Sequence, residues 1–199
     1  MTAWIRMIPD TEAEGLLKRL YDKVRTPHGT VDNVMRAHSL RPHTMDGHVT
    51  LYRSVLHNPD NTLPFWFLEV VASYTSIVND CAYSLVHHFT NVRRLLKDEP
   101  RADAILAALE ARAPERVFEG KELALLHYTE KLTAEVGRMA EADVRALHEA
   151  GCDDGEILEV NQVCAYFNYS NRLLNGLGVT TEGDVIGYYK AEAPDGAQD

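Results

Sequence analysis

The apolar residues of this chain recur every three to four positions along most of its length, which is the spacing of one face of an α-helix. Leu16, Leu17, Leu20, Tyr21 and Val24 form the first such stripe, and charged side chains fill the positions around them. Further helices are predicted over residues 31–40, 42–56, 64–78, 80–97, 102–112, 121–132, 141–150 and 153–176. No strand-like alternation competes with these stripes. The pattern predicts an all-α chain of about eight or nine helices, folded as a single domain over residues 1–199 with a loose tail from about residue 190.

Several polar residues stand where a helix end needs a hydrogen-bonding side chain. Thr62 is a candidate N-cap for the fourth predicted helix, and Asn79 or Asp80 is a candidate N-cap for the fifth. Asp153 followed by Glu156 has the spacing of a capping box, which predicts the start of the last long helix.

The composition is that of an ordinary globular protein, with 45% hydrophobic and 25% charged residues. The formal net charge of −10 argues against nucleic acid or an anionic membrane as a partner. The longest uncharged apolar stretch, residues 70–78, is too short to span a bilayer, and the N-terminus shows no secretory signal. Three cysteines are too few for a disulfide scaffold. We therefore expect a cytoplasmic protein with reduced thiols.

Chemically useful side chains gather between residues 69 and 88, in the order Glu69, Cys81, Ser84 and His88. If the chain is helical from Asp80 onward, the last three share one helical face. A thiolate at the start of a helix is stabilised by tenths of a kcal/mol to about 1 kcal/mol, although the adjacent Asp80 opposes this effect. Glu69 stands in an apolar run, where desolvation would raise its pKa and allow it to relay a proton.

Each of these residues also has an ordinary structural interpretation. Glu69 could lie on the solvent face of an amphipathic helix, and Cys81 could be a small buried apolar residue, as Cys152 and Cys164 are expected to be. His87 points about 100° away from His88 on a helix and is expected to serve packing or an interface.

A metal site is the rival chemical interpretation. Cys81, His87, His88, Glu69 and His127 could supply ligands, but their spacing matches no common zinc motif. No phosphate-binding loop is present either. We therefore expect neither a metal nor a cofactor.

The spacing of the four residues is specific enough to indicate a family. Eleven residues separate Glu69 from Cys81, two separate Cys81 from Ser84, and three separate Ser84 from His88. This spacing resembles the E-x11-C-x2-C-x3-H signature of the alkylhydroperoxidase D-like (carboxymuconolactone decarboxylase) superfamily. The string CAYSLVHH is similar to the CEYCxxHH form of its peroxidase-related branch. Five further segments resemble that branch in the same order: MIPD, VDNVMRAHSLRPHTMDGHVTLYRSVL, ALLHYTEKLT, DVRALHEAGCDDGEILEV and FNYSNRLLNGLGV.

The resemblance implies an all-helical fold that assembles as homo-oligomers. It also implies a helix-borne dithiol that reduces peroxides, with Glu69 and His88 as the proton relay and Cys81 as the first thiol. The chain departs from the family pattern at Ser84, which stands in place of the second thiol. Asn171 and Arg172 fall within the similar C-terminal segment; we interpret them as a structural pair and expect Arg172 to bind a buried carboxylate.

Three hypotheses follow. In the first, Cys81 alone reduces a peroxide, Ser84 replaces the resolving thiol by a hydrogen bond, and an external thiol or reductant protein restores the sulfur. In the second, Glu69 and His88 act as general base and acid on a small carbonyl or lactone substrate. In the third, the protein is a non-catalytic oligomeric scaffold or ligand-binding protein. The aromatic run PFWFLEVV is core, a subunit contact or the mouth of a substrate site.

Overall fold

The computed structural model describes residues 1–187, so the tail predicted from about residue 190 lies outside the described residues. Within residues 1–187 the chain forms α-helices and short 3₁₀ turns without any β-strand, which confirms the all-α prediction. The helices are α1 Gly15–Val24, α2 Asn33–Arg36, α3 Pro42–Leu56, α4 Phe65–Val78, α5 Ala82–Leu96, α6 Glu99–Glu110, α7 Gly120–Ala134, α8 Glu141–Glu149 and α9 Asp154–Leu177. None of the helices in this range is long and apolar enough to cross a bilayer.

Helix α4 is the central element and packs against α5, α7 and α9. Residues 67–76 of this helix are all buried, as expected for a helix whose apolar residues surround its axis. The hydroxyls of Ser73, Thr75 and Ser76 each donate to the backbone carbonyl four residues earlier, at 2.8–2.9 Å. Phe67 lies in the main apolar cluster, with Phe65 and Trp66 packed against it, so the aromatic run belongs to the core.

A tight turn joins α4 to α5. The N–H of Cys81 donates to the carbonyl of Ser76 at 2.8 Å, and the N–H of Asp80 donates to the carbonyl of Ile77 at 3.1 Å. This is the Schellman arrangement, which needs a left-handed residue just past the helix end; Asp80 supplies it with φ 56°. The prediction that Asn79 or Asp80 caps α5 is therefore wrong. Cys81 occupies the N-cap position instead.

Among the other predicted helix ends, one is confirmed and two differ in the structure. The capping box is confirmed, because Asp153 and Glu156 exchange backbone-to-carboxylate hydrogen bonds of 2.9 and 3.0 Å. Thr62 does not cap α4, because its N–H and hydroxyl both donate to Glu159 of α9. The helix predicted over residues 31–40 shortens to α2, because the backbone beyond it closes three-residue turns.

The segment after α9, residues 179–187, is here called the C-terminal strap. The side-chain amide of Asn33 donates to the carbonyls of Thr180 and Glu182, both at 2.9 Å. The carboxylate of Asp184 accepts from the backbone N–H of Asn33 at 3.0 and 3.2 Å. The strap is thereby fastened across α2, and its last described residue, Gly187, lies against Thr90 of α5.

Candidate active site

A carboxylate and an imidazole from neighbouring helices form the centre of the candidate site. Oε2 of Glu69 on α4 lies 2.7 Å from Nδ1 of His88 on α5. The other carboxylate oxygen, Oε1, accepts a hydrogen bond of 3.0 Å from Nδ2 of Asn91. Glu69 is 0% exposed, so the alternative that places it on a solvent face is wrong. A buried carboxylate needs such partners for both oxygens, and it has them.

The surroundings of His88 orient its ring. The ring of Phe167 meets it edge-on, with 4.5 Å between centroids, and Tyr52 lies 6.3 Å away. Because Nδ1 faces the carboxylate, the second ring nitrogen, Nε2, is on the opposite edge of the imidazole. A histidine held this way has a fixed tautomer and one nitrogen left for proton transfer.

His88 lines a partly enclosed cavity of about 60 Å³. That volume holds a few water molecules or one small organic molecule. The walls are mostly polar and aromatic, and they come from α2, α3, α5, α9 and the strap. They comprise Asp32, Val34, Met35, His48, Tyr52, Tyr83, Ser84, His87, His88, Asn91, Tyr166, Ser170, Leu174 and Gly187.

Ser84, the residue in place of the second thiol, belongs to this wall. Its hydroxyl lies 2.9 Å from the hydroxyl of Ser76, within hydrogen-bonding distance, and the residue is 2% exposed. The side chain of Asn171, which is fully buried, lies 3.4 Å from the same Ser76 oxygen. Arg172 is exposed and donates to Asn168, and no carboxylate among residues 1–187 pairs with it, so the expected buried partner is wrong.

Cys81 lies outside the cavity wall. It is 1% exposed and belongs to an apolar cluster that includes Ala37, Leu174 and Val179. On its other side it borders a separate, wider recess of about 490 Å³ beside Arg112. The structure thus places Ser84 and His88 on the wall of one cavity, with Glu69 behind His88, and places the predicted nucleophile, Cys81, elsewhere.

Burial raises the pKa of the Cys81 thiol, and a hydrogen bond from the backbone N–H of Ser84 opposes this rise only in part. The N–H at the helix start does favour the thiolate, as expected, but the desolvation of the charged sulfur outweighs this one amide donor. Burial likewise raises the pKa of Cys152 and of Cys164. Cys81 therefore resembles the two cysteines for which only a structural role was expected.

The second histidine of the pair has a packing role, as predicted. The ring of His87 stacks on Tyr83 with 4.7 Å between centroids, and its Nε2 lies 3.5 Å from Oδ2 of Asp184. The Tyr83 hydroxyl donates to the same carboxylate. Within residues 1–187, no three His, Cys, Asp or Glu side chains gather in a way that could hold a metal ion.

Sequence reasoning missed several wall residues. Tyr166 of α9 and His48 of α3 are joined by a 3.1 Å hydrogen bond although 118 residues separate them. Burial, assisted by His38, lowers the pKa of His48 to about 3, so the ring is neutral near pH 7. Asn91 was the one residue with a sequence signal, since it follows His88 by three positions and therefore shares its helical face.

With this geometry established, comparison with known proteins identifies the fold. No protein-family profile and no curated protein matches the sequence. Among solved structures, the chain is similar to the alkylhydroperoxidase AhpD core of an uncharacterized peroxidase-related protein from Ralstonia eutropha JMP134, with 21% identity, a TM-score of 0.79 and coverage of 96% of this chain and 98% of that one. It is also similar to an uncharacterized peroxidase-related protein from Silicibacter sp. TM1040, at 21% identity, TM-score 0.75 and 95% coverage of both chains.

The same fold also carries other chemistry. The debrominase Bmp8 is 14% identical, with a TM-score of 0.71 and 92% coverage of both chains. The chain thus has the AhpD-like all-helical fold, which confirms the fold that the sequence resemblance implied. Because these identities are low and the fold supports more than one reaction, the reaction has to be argued from the site.

Proposed function

We propose that the protein is an enzyme in which His88 acts as a general acid and base on a small molecule bound in the cavity. The observation that carries the proposal is the 2.7 Å contact between Nδ1 of His88 and the fully buried carboxylate of Glu69. The ring of His88 also lines the cavity. The proposal modifies the second of the three hypotheses drawn from the sequence: Glu69, which does not line the cavity, supports His88 instead of acting on the substrate itself. Its substrate class is a small carbonyl compound or lactone.

Glu69 supports proton transfer without touching the substrate. When His88 Nε2 removes a proton from a carbon beside a carbonyl, or from water that attacks a lactone, the ring becomes an imidazolium. The carboxylate 2.7 Å away stabilises that positive charge, and the imidazolium, whose N–H exchanges with solvent, then gives a proton to the product. Asn91 holds the second carboxylate oxygen and prevents the carboxylate from rotating away.

Thiol-based peroxide reduction at Cys81 is a second candidate function. The peroxidase-related structural neighbours and the N–H of Ser84 beside the sulfur support it. In that reaction the thiolate would attack the O–O bond, becoming a sulfenic acid and releasing an alcohol or water, and an external thiol would then reduce the sulfenic acid. The position of Cys81 outside the cavity and the raised pKa of its thiol weigh against this candidate.

Two variants separate the candidates: His88→Ala and Cys81→Ser. Proton abstraction is measured as deuterium exchange into cyclopentanone and γ-butyrolactone by NMR, and peroxidase activity as consumption of tert-butyl hydroperoxide with dithiothreitol. We expect His88→Ala to lower the exchange rate by about a hundredfold or more, and Cys81→Ser to leave it unchanged. Equal exchange by His88→Ala and the wild type would overturn the proposal. Peroxide consumption that Cys81→Ser abolishes would establish the second candidate instead.

A further inference from the structure

Most hydrogen-bonding side chains of the cavity wall are already engaged within the protein. The hydroxyl of Tyr83 donates to Asp184, and the amide NH₂ of Asn91 donates to Glu69. The wall residues whose side chains interact with other groups of the protein also include Asp32, His48, Tyr52, His87 and Tyr166. A ligand in the cavity therefore meets few donors that are not already used.

Ser170 of α9 is the exception. It lines the cavity, and its hydroxyl has no hydrogen-bond partner among residues 1–187. Its oxygen keeps some accessible surface, whereas Oδ1 of Asn91 is completely enclosed. The other serine of the wall, Ser84, is left to donate to Ser76, because Ser76 gives its single hydroxyl hydrogen to the carbonyl of Ala72. Ser170 thus offers the cavity a free hydroxyl.

Two contacts place Ser170 near His88. Phe167, three positions earlier on α9, meets the His88 ring edge-on, with 4.5 Å between centroids. Residues three apart on a helix are neighbours, about 5–6 Å apart at Cβ. Asn171, the next residue of α9, lies 3.4 Å from Ser76 on α4, the helix that packs on α5. Ser170 and His88 therefore line the same small cavity from two helices.

The charge of the wall makes an uncharged donor important. Removal of a proton beside a carbonyl leaves negative charge on the carbonyl oxygen. Among the described residues that line the cavity there is no lysine or arginine, and His48 is neutral near pH 7. Asp32 and the nearby Glu69 add negative charge instead. A hydroxyl donor is therefore the group that this wall can direct at the developing anion.

We propose that the hydroxyl of Ser170 donates to the carbonyl oxygen of the substrate and is a catalytic residue. This inference rests on the proposed function. Nε2 of His88 takes the proton as the C–H bond breaks, the electron pair of that bond forms a C=C bond, and the π pair of the carbonyl moves to oxygen. The Ser170 O–H stabilises the resulting enolate, and the carbon then recovers a proton from the imidazolium. The substrate class is an uncharged ketone, ester or lactone, since a second anionic group would lie beside carboxylates without a counter-charge.

Infrared difference spectroscopy tests the hydrogen bond without any turnover. Donation to a carbonyl lowers its stretching frequency, so cyclopentanone bound to the wild type should absorb below its frequency in cyclohexane. Ser170→Ala should raise the band towards the cyclohexane value, and Ser54→Ala, on the exposed face of α3, should leave it in place. An unshifted band in Ser170→Ala would overturn the assignment. So would a wild-type band at the cyclohexane frequency, or no bound band at all, and these two outcomes do not depend on the folding of a variant.

The rate of deuterium exchange into cyclopentanone tests the catalytic role. We expect Ser170→Ala to lower the rate by about ten- to a hundredfold and Ser54→Ala to leave it unchanged. An unchanged rate in Ser170→Ala would overturn the role. Failure of the proposed function gives a different result: His88→Ala would exchange like the wild type while the carbonyl band still depended on Ser170. If His88→Ala alone slowed exchange, the acid–base function would stand and the assignment of Ser170 would fall.

Discussion

Cys81 and His88 are seven residues apart at α5, yet they border different spaces. His88 meets Glu69 beside the cavity, whereas Cys81 packs into an apolar cluster with Leu174. The reason is local. Cys81 is the N-cap residue, with φ −102° and ψ 87°, so its side chain does not follow the helical phase that aligns residues seven apart.

If Glu69 and His88 act as a unit, their substitutions should not be additive. We expect Glu69→Gln to lower the deuterium exchange rate at least about tenfold, because the imidazolium loses its counter-charge. The double variant with His88→Ala should be no slower than His88→Ala alone. Glu149→Gln makes the same chemical change on the exposed face of α8 and should have no effect. Additive losses in the double variant would contradict the pairing.

The thiol of Cys81 should be unreactive in the folded protein, because it is 1% exposed and burial raises its pKa. Iodoacetamide at pH 7.5, followed by peptide mass spectrometry, measures the rate at each cysteine. We expect Cys81 to react no faster than Cys152 or Cys164, and all three to react rapidly in urea. Rapid alkylation of Cys81 alone in the native protein would restore the peroxidase hypothesis.

Asp184 should anchor the C-terminal strap over the cavity. Its carboxylate is 1% exposed and accepts from the Asn33 N–H and the Tyr83 hydroxyl. Asp184→Ala leaves both donors unsatisfied, so we expect a loss of about 1–3 kcal/mol in the free energy of unfolding. Amide hydrogen exchange over residues 179–187 should accelerate. Glu182→Ala removes only an exposed ion pair to the N-terminus, and unchanged exchange in this control would assign the effect to Asp184.

His48 should make the protein less stable in acid. Its pKa is about 3 in the folded protein and near 6.5 when unfolded, so the unfolded chain binds the proton first. Stability is thus complete above about pH 6.5 and declines as the pH falls from there towards about 3. His48→Gln removes this titration. The fall in the free energy of unfolding between pH 7 and pH 4.5, measured by urea unfolding, should be smaller in His48→Gln than in the wild type by roughly 2–3 kcal/mol. Identical declines in both proteins would contradict the assignment.

Much of the site could be predicted from spacing alone. Glu69 stood in an apolar run and His88 on the following helix, and the structure joins them directly. The sequence could not predict the environment of Cys81, because it depends on the left-handed backbone of Asp80, a residue whose side chain is instead typical of a helix cap. The cytoplasmic location, the homo-oligomeric state and the external reductant remain predictions.

The sequence by itself determined the all-helical architecture and the capping box at Asp153, because periodicity and local hydrogen bonding act over a few residues. The pairing of Glu69 with His88 was implied by the family resemblance, and the packing of α4 on α5 produces it. Only the tertiary structure decided which side chains share the cavity. Tyr166 meets His48 across 118 residues, and the strap brings Asp184 to Tyr83, because packing joins helices that no local pattern links. Desolvation is likewise a property of the whole fold, and it makes His48 neutral and keeps the Cys81 thiol protonated.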